Sequence, residues 1–191
     1  MFALTVSLIL VICVHVFSQT TAPAPCAGNP LYRQFDFWLG EWEAYATNGK
    51  KGGDSKIELL LDSCIILENW KSTQANYSGK SYNTYNAATG KWQQYWVDNK
   101  GGITQYFDGH FENNKMILQT TNEKQSDGSH KIQKMTFYNL GPDKVRQLGE
   151  SSADNGKTWK TDYSYRSLQI HFTLKHMSRN DRSTPNDMVP L

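Results

Sequence analysis

Three carboxylic side chains, Glu68, Asp98 and Glu150, lie in segments where aromatic or polar residues recur at every second position. A carboxyl group in an apolar cavity has a displaced pKa, and two such groups can act on a substrate as acid and base. The sequence does not fix the distances between these groups, and no Ser-His-Asp signature or glycine-rich phosphate loop accompanies them. Enzyme activity is therefore left open, and binding is favoured over catalysis.

The aromatic and polar residues around these carboxyls follow the period of two at which side chains of a β-strand share one face. An interior that only held the fold together would be filled with Val, Leu and Ile, because each buried polar group needs a partner. If the polar faces turn inward, they form a cavity for a small molecule that is part planar and part polar. We predict a ligand-binding site formed by Glu68, Trp70, Asn83, Tyr85, Gln94, Trp96, Asp98 and Arg146.

The opposite assignment of faces stays open, because a period of two does not identify the inner side of a strand. In that alternative the barrel is solid, and its interior is lined by Leu59, Leu61, Tyr95 and Val97. A further alternative is that Arg146 pairs with Glu150 or Glu68 inside the barrel and has a structural role.

The histidines and cysteines do not form a metal-binding pattern. His110, His130, His171 and His176 are dispersed, so we predict no metal site and no cofactor. The 20 basic and 18 acidic residues are scattered along the chain, which gives no charged block of the kind that binds nucleic acid or an anionic membrane. A small-molecule ligand is the partner that the sequence predicts, and the oligomeric state is left open.

The N-terminal residues 1–18 have the composition of a secretory signal. Residues 2–18 form an apolar run shorter than a typical membrane span, with Val16 and Ser18 before a cleavage site. No Lys or Arg precedes Arg33, so an uncleaved anchor or a misplaced start codon stays open. We predict an exported protein, periplasmic or secreted, with no membrane contact after the signal is removed.

Removal of the signal would take Cys13 with it and leave Cys26 and Cys64 in an oxidising compartment. We expect a disulfide between these two cysteines, and two unpaired buried thiols are the alternative. Cys26 follows Pro25 rather than a small residue, which argues against a lipid anchor.

The chain has the length of one domain once its ends are set aside. A proline-rich leader at residues 19–30 precedes the domain, which spans residues 31–175, and residues 176–191 are expected to be a disordered tail. Residues 31–39 predict a short helical turn at the start of the domain.

Short alternating segments follow, and Gly, Asn or Asp residues separate neighbouring segments. Turns such as Asn48-Gly49 and Asn155-Gly156 join neighbours as hairpins, which indicates up-and-down connectivity. Both a sandwich and a barrel fit this spacing, and a closed barrel is favoured because it leaves no exposed edge. We predict an all-β, antiparallel barrel of about 8–10 strands, with segments at 41–46, 55–62, 65–71, 80–85, 92–97, 103–107, 116–121, 132–139, 145–151 and 159–166.

The residues FDFWLGEW at 35–42 resemble a family of exported bacterial proteins, the DUF1579-like group of the lipocalin-like (calycin) superfamily. Gly40-x-Trp42 is similar to the first-strand motif of lipocalins. The resemblance implies that Trp42 plugs one end of the barrel and that Arg166, near the last strand, lies across its ring. Further similar segments lie at 64–70, 81–85, 92–98 and 156–159, so the resemblance covers about residues 31–166.

The chain departs from this family after Arg166, where Leu168, Ile170, Phe172 and Leu174 alternate with polar residues. This pattern predicts a longer last strand or one additional strand.

Lipocalin-like barrels include transporters, haem binders and a few isomerases, so the resemblance implies a fold more than a function. We predict an exported barrel that binds a small, part planar and part polar or lipophilic molecule. A calycin-like enzyme that uses the cavity carboxyls and an exported structural or interaction module are the alternatives.

Overall fold

The computed structural model describes residues 25–170, and most of these residues lie in β-strands. Two short 3-10 helices, Pro30–Arg33 and Asp36–Trp38, precede the strands. The strands in chain order are β1 Gly40–Ala46, β2 Lys51–Leu60, β3 Ile65–Ser72, β4 Ser78–Asn86, β5 Lys91–Asp98, β6 Ile103–Glu112, β7 Lys115–Gln119, β8 Glu123–Lys124, β9 His130–Asn139, β10 Lys144–Ser152 and β11 Lys160–Gln169.

The strands form a closed antiparallel barrel, as the hairpin pattern predicts. Strands β1 to β7 pair in chain order, β7 pairs with β9, and β9, β10 and β11 continue the wall. The barrel closes between β11 and β1, where Ala44 lies opposite Ser167. The two-residue β8 pairs with β9 alone, which leaves ten strands in the closed wall. The all-β, up-and-down, lipocalin-like fold class is confirmed.

The hairpin between β6 and β7 shows how local sequence sets this connectivity. Asn113 and Asn114 have φ angles of 47° and 58°, in the left-handed region. Two consecutive left-handed residues make the tight turn whose twist matches antiparallel strands, and Asn accepts this conformation more readily than most residues.

An aromatic cluster fills the end of the barrel next to the 3-10 helices. The rings of Phe35 and Trp38 stack with centroids 5.0 Å apart, and Trp38 lies 4.5 Å from the ring of Phe137. Trp42 is 1% exposed, and its indole N–H donates to the Trp38 carbonyl oxygen at 2.8 Å. Trp92 of β5 packs edge-on to Phe35 in the same cluster. Because the rings of the helical segment pack between those of the strands, this segment forms the plug that closes this end of the barrel.

The resemblance-based role of Arg166 is wrong. In an antiparallel pair, directly opposed residues share a face, and Arg166 lies opposite Tyr45 on the outer face of the barrel. The residue opposite the inward-pointing Trp42 is Gln169, whose side-chain amide donates to the Leu39 carbonyl oxygen at 3.2 Å. Gln169 therefore occupies the place beside Trp42 that the resemblance gave to Arg166.

Several predicted segments lie outside the described residues. These are the signal at 1–18, the leader up to residue 24, the alternating positions Phe172 and Leu174, and the tail at 176–191. Strand β11 continues past Arg166 to Gln169, and the Ile170 amide donates to the Glu41 carbonyl oxygen at 2.7 Å. None of the helices within residues 25–170 has the length and apolarity needed to cross a bilayer.

A disulfide joins Cys26 to Cys64 across 38 residues of chain. It fastens the segment ahead of the 3-10 helices to the turn between β2 and β3. The Arg33 guanidinium donates to the carbonyl oxygen of Ser63 in the same turn, so a covalent and a polar contact hold the plug in place.

We predict that Trp42→Ala lowers the free energy of unfolding by about 3–5 kcal/mol, because the change removes a fully buried indole and leaves a cavity. Arg166→Ala, on the outer face, should change it by less than about 0.5 kcal/mol. Urea unfolding followed by far-UV circular dichroism measures both values. Similar losses in the two variants would contradict the assignment of their faces.

We predict that the purified, unreduced protein has no reactive thiol at Cys26 or Cys64. A Cys26→Ser/Cys64→Ser double variant should lose about 3–4 kcal/mol of stability, as expected for a cross-link that closes a loop of this length. Thiol labelling in denaturant without reductant checks the bond, and the same labelling after reduction is the control. Full labelling without reductant would refute the disulfide.

Candidate ligand-binding site

The half of the barrel away from the plug encloses a cavity of about 360 Å³. Its outer part is lined by Gln74 and Tyr77 from the β3–β4 loop and by Asp98 at the end of β5. Gln74 is exposed, so the cavity is accessible from the solvent. The complete lining consists of Glu68, Trp70, Ser72, Gln74, Tyr77, Gln94, Trp96, Asp98, Thr104, Tyr106, Gln133, Met135, Gln147, Tyr163 and Tyr165.

Glycines behind the aromatic rings keep this part of the barrel open. A Cβ atom on Gly53 of β2 would lie 2.6 Å from the Trp70 ring, and one on Gly79 of β4 would overlap the Trp96 ring. Both indoles therefore lie close against the neighbouring strand, where any larger residue would push them away. Two tyrosines are placed in the same way, Tyr163 against Gly149 and Tyr165 against Gly52. The rings line the wall and leave the centre of the barrel unfilled.

Glu68 lies at the inner part of the cavity and is 5% exposed. Its two carboxyl oxygens accept hydrogen bonds from the hydroxyls of Ser55 on β2, at 3.0 Å, and Ser81 on β4, at 2.9 Å. Burial raises the pKa of Glu68 to about 7, and the two serine hydrogen bonds act in the opposite direction. The group thus changes its charge near neutral pH.

A chain of buried amides fixes the direction of one of these hydrogen bonds. The Gln94 amide donates to the Asn83 side-chain oxygen at 2.7 Å, and the Asn83 amide donates to the Ser81 hydroxyl at 3.0 Å. Because Ser81 accepts from Asn83, its own proton is directed at Glu68. Each member of the chain therefore donates towards the carboxyl group.

Three other ionisable groups of the lining, Asp98, Tyr106 and Tyr163, have pKa values shifted away from neutral pH. Backbone amides of Gly102 and Lys100 donate to Asp98 and keep its pKa below the ordinary value, so this carboxylate is ionised. Burial raises the pKa of Tyr106 to about 12 and that of Tyr163 well above its ordinary value. Of these four groups, Glu68 is the one whose charge responds to a change between pH 6 and 8.

Five of the eight residues predicted for the site line the cavity: Glu68, Trp70, Gln94, Trp96 and Asp98. Asn83 also points inward but lies behind the lining, where it binds Gln94 and Ser81.

Tyr85 and Arg146 are not part of the cavity. Tyr85 packs in the plugged half of the barrel, with its ring centroid 5.3 Å from that of Tyr32 and 6.1 Å from that of Trp92. Arg146 lies on the outer face over the Tyr138 ring, and its Nε donates to the Ser164 hydroxyl at 3.1 Å. The inward residue of this part of β10 is the next one, Gln147.

Two of the alternatives are also corrected. Leu61 is 71% exposed, Tyr95 is 41% exposed and Val97 is 44% exposed, so the faces assigned to a solid barrel are wrong at these three positions. Leu59 does pack against the core. Glu150 lies on the outer face of β10 in an ion pair with Lys134 at 2.9 Å, so it pairs with neither Arg146 nor Glu68 and does not serve as a cavity carboxyl.

Ten lining residues were not predicted, and period-two patterns could have identified some of them. Tyr163 and Tyr165 alternate on β11, and Thr104 and Tyr106 alternate on β6, in the same way as the residues chosen on β5. Ser72, Gln74, Tyr77, Gln133, Met135 and Gln147 complete the set, and Gln74 and Tyr77 come from a loop that has no periodic signal.

The geometry defines a closed, antiparallel ten-stranded barrel with an aromatic cavity that contains a buried carboxyl group. A scan against models of protein families finds no match to the chain, and a search of curated proteins finds no similar sequence. Within the part of the chain that the structure describes, no group of His, Cys, Asp and Glu side chains could hold a metal ion.

We predict that Glu68 makes the protein less stable as the pH rises. Between pH 4.5 and about 7 the folded protein holds a proton on Glu68 that the unfolded chain releases, so the free energy of unfolding falls through this range. The loss approaches about 3 kcal/mol above pH 8. Glu68→Gln has no such proton, and its urea-unfolding free energy minus that of the wild type should grow by this amount from pH 4 to 8. Parallel stability curves would contradict the assigned pKa.

Proposed function

We propose that the protein binds a small molecule, part planar and part polar, inside the barrel. The observation that carries this proposal is the placement of four cavity rings against glycines, which keeps open a space that larger side chains would otherwise fill. A binding protein benefits from such a preformed cavity, because little reorganisation is needed when the ligand enters.

The lining supplies two kinds of contact to such a ligand. The indoles of Trp70 and Trp96 offer flat apolar surfaces on which a planar group can stack. Glu68, Gln94 and Gln147 offer hydrogen-bonding groups that would orient the polar part. An aromatic wall with a few polar groups is typical of small-molecule sites.

A second candidate function is proton transfer by Glu68, and its pKa of about 7 favours this reading. A general acid or base works best when its pKa lies near the operating pH. Mass spectrometry of a bound compound after incubation separates the two candidates, since a binding protein returns the compound unchanged and an enzyme converts it.

We further propose that the protein is exported and belongs with the DUF1579-like group. The apolar run at 2–18 supports export, and the disulfide between Cys26 and Cys64 suits an oxidising compartment. The FDFWLGEW segment, whose Trp38 and Trp42 form part of the plug, supports the family assignment.

We predict that N-phenyl-1-naphthylamine, a planar molecule with one polar N–H group, quenches tryptophan emission on titration. Trp96→Leu should weaken binding about tenfold, because it removes a stacking surface from the cavity wall. Trp159→Leu is the matched control, since Trp159 packs under the Lys134 ammonium at 3.9 Å and does not line the cavity. Equal affinity of the two variants would show that the probe binds elsewhere, and absence of quenching in the wild type would contradict the proposal.

A further inference from the structure

The charged side chains that line the cavity are all acidic. Glu68 and Asp98 both line the cavity, and no Lys, Arg or His of residues 25–170 is among the lining residues. Seven ion pairs occur among the described residues, and neither Glu68 nor Asp98 takes part in them. The cavity therefore offers negative charge to whatever enters it.

The surroundings of Glu68 are built to hold an anion. Ser55 and Ser81 donate to both carboxyl oxygens, and the chain of Gln94 and Asn83 directs the Ser81 proton at the carboxyl. An ionised carboxylate that is buried without a positive partner is costly, even with such hydrogen bonds. A cation in the cavity would remove this cost, because it pairs with the charge that the serines already orient.

The rings of the lining suit a cation as well. Trp70, Tyr77, Trp96, Tyr106, Tyr163 and Tyr165 contribute six aromatic side chains to one cavity. The negative face of an aromatic ring attracts a cation, most strongly for Trp and where water is excluded. Sites for quaternary ammonium groups in other proteins use such sets of rings.

We propose that the cavity binds an organic cation, an amine or quaternary ammonium group attached to a small planar group, with its charged centre next to Glu68. This inference rests on the proposed function, since it names the chemical class of the ligand. Asp98, ionised near the entrance, adds to the negative potential that draws a cation inward. The planar group stacks on the indoles of Trp70 and Trp96.

Two probes of nearly equal shape separate charge from size. Benzyltrimethylammonium carries a permanent positive charge, and 2,2-dimethylpropylbenzene replaces its nitrogen with carbon. Isothermal titration of the full chain should show the cation binding at least about tenfold more tightly than the neutral compound. Equal or stronger binding of the neutral compound would overturn the proposal.

Variants of two glutamates on adjacent strands, Glu68 on β3 and Glu58 on β2, test whether the preference for the cation depends on Glu68. Glu68→Gln keeps the shape and removes the charge, and it should weaken binding of the cation about 10- to 100-fold while leaving the neutral compound unchanged. Glu58→Gln makes the same charge change on β2 at a position outside the cavity lining, where Glu58 pairs with Lys56 at 2.8 Å, and should leave both affinities within about twofold. Equal weakening by both variants, or no weakening by Glu68→Gln, would overturn the proposal.

The pH dependence of wild-type binding tests the same point without a substitution. Ser55 on β2 and Ser81 on β4 donate hydrogen bonds to Glu68, and Tyr163 on β11 interacts with it electrostatically. The other ionisable groups of the lining are Asp98, Tyr77, Tyr106 and Tyr165. The cation's affinity should rise about tenfold from pH 6 to 8 as Glu68 ionises, since the fraction of an acid of pKa 7 that is ionised rises by this factor. A flat profile in the wild type would contradict the proposal.

The outcomes distinguish this inference from the proposed function. If N-phenyl-1-naphthylamine and the neutral compound bind in the cavity but the cation has no advantage, the charge assignment fails and the binding function stands. If none of the three probes binds, both fail.

Discussion

A ten-stranded barrel encloses more space than the inward side chains of its own strands can fill, and the arrangement of this protein follows from that constraint. At one end, two 3-10 helices insert the rings of Phe35 and Trp38 between the strands, and Trp42, Trp92 and Phe137 pack around them. At the other end, rings held against the wall leave a cavity, and the β3–β4 loop contributes Gln74 and Tyr77 to its outer part. The barrel interior is thus filled with side chains at one end and left open as a cavity at the other.

The packed end stabilises the fold enough to compensate for the polar groups buried around the cavity. The aromatic cluster buries large apolar side chains, and the Cys26–Cys64 disulfide anchors the segment that carries them. This stabilisation offsets the cost of placing Glu68, Asn83 and Gln94 in the interior, where each polar atom needs a hydrogen-bonding partner. A binding cavity and a stable fold are compatible here because they occupy different halves of the barrel.

The sequence predicts the fold well because alternation and turn residues act locally. The inward face of β5, with Trp92, Gln94, Trp96 and Asp98, is assigned correctly from its period of two. The same rule cannot decide between adjacent residues on a strand of mixed composition. On β10 the sequence pattern favours Arg146, whereas in the structure Gln147 points inward.

Contacts across strands are harder to derive from the sequence. Strand β11 shifts register at a bulge opposite Gly149 and Glu150, and β1 shifts between Ala44 and Tyr45. The alternation of side chains does not place either shift, and the first one leaves Asp162 of β11 without an opposed residue just before the cavity residues Tyr163 and Tyr165. The pairs of glycine and ring join residues on separate strands, so a single sequence does not reveal them. Five of the eight site residues could be predicted from alternation within single strands, whereas the contacts between glycines and rings depended on the three-dimensional register.

Because of the glycines behind the rings, the size of the cavity can change while the residues that line it stay the same. A methyl group at Gly79 would displace the Trp96 ring towards the barrel axis, and one at Gly149 would do the same to Tyr163. Neither glycine would touch the ligand, and every lining residue would stay the same. Barrels of this type can therefore diverge in the length or bulk of the molecules they accept through replacements on the far side of the rings. Comparison of lining residues alone would not detect that divergence.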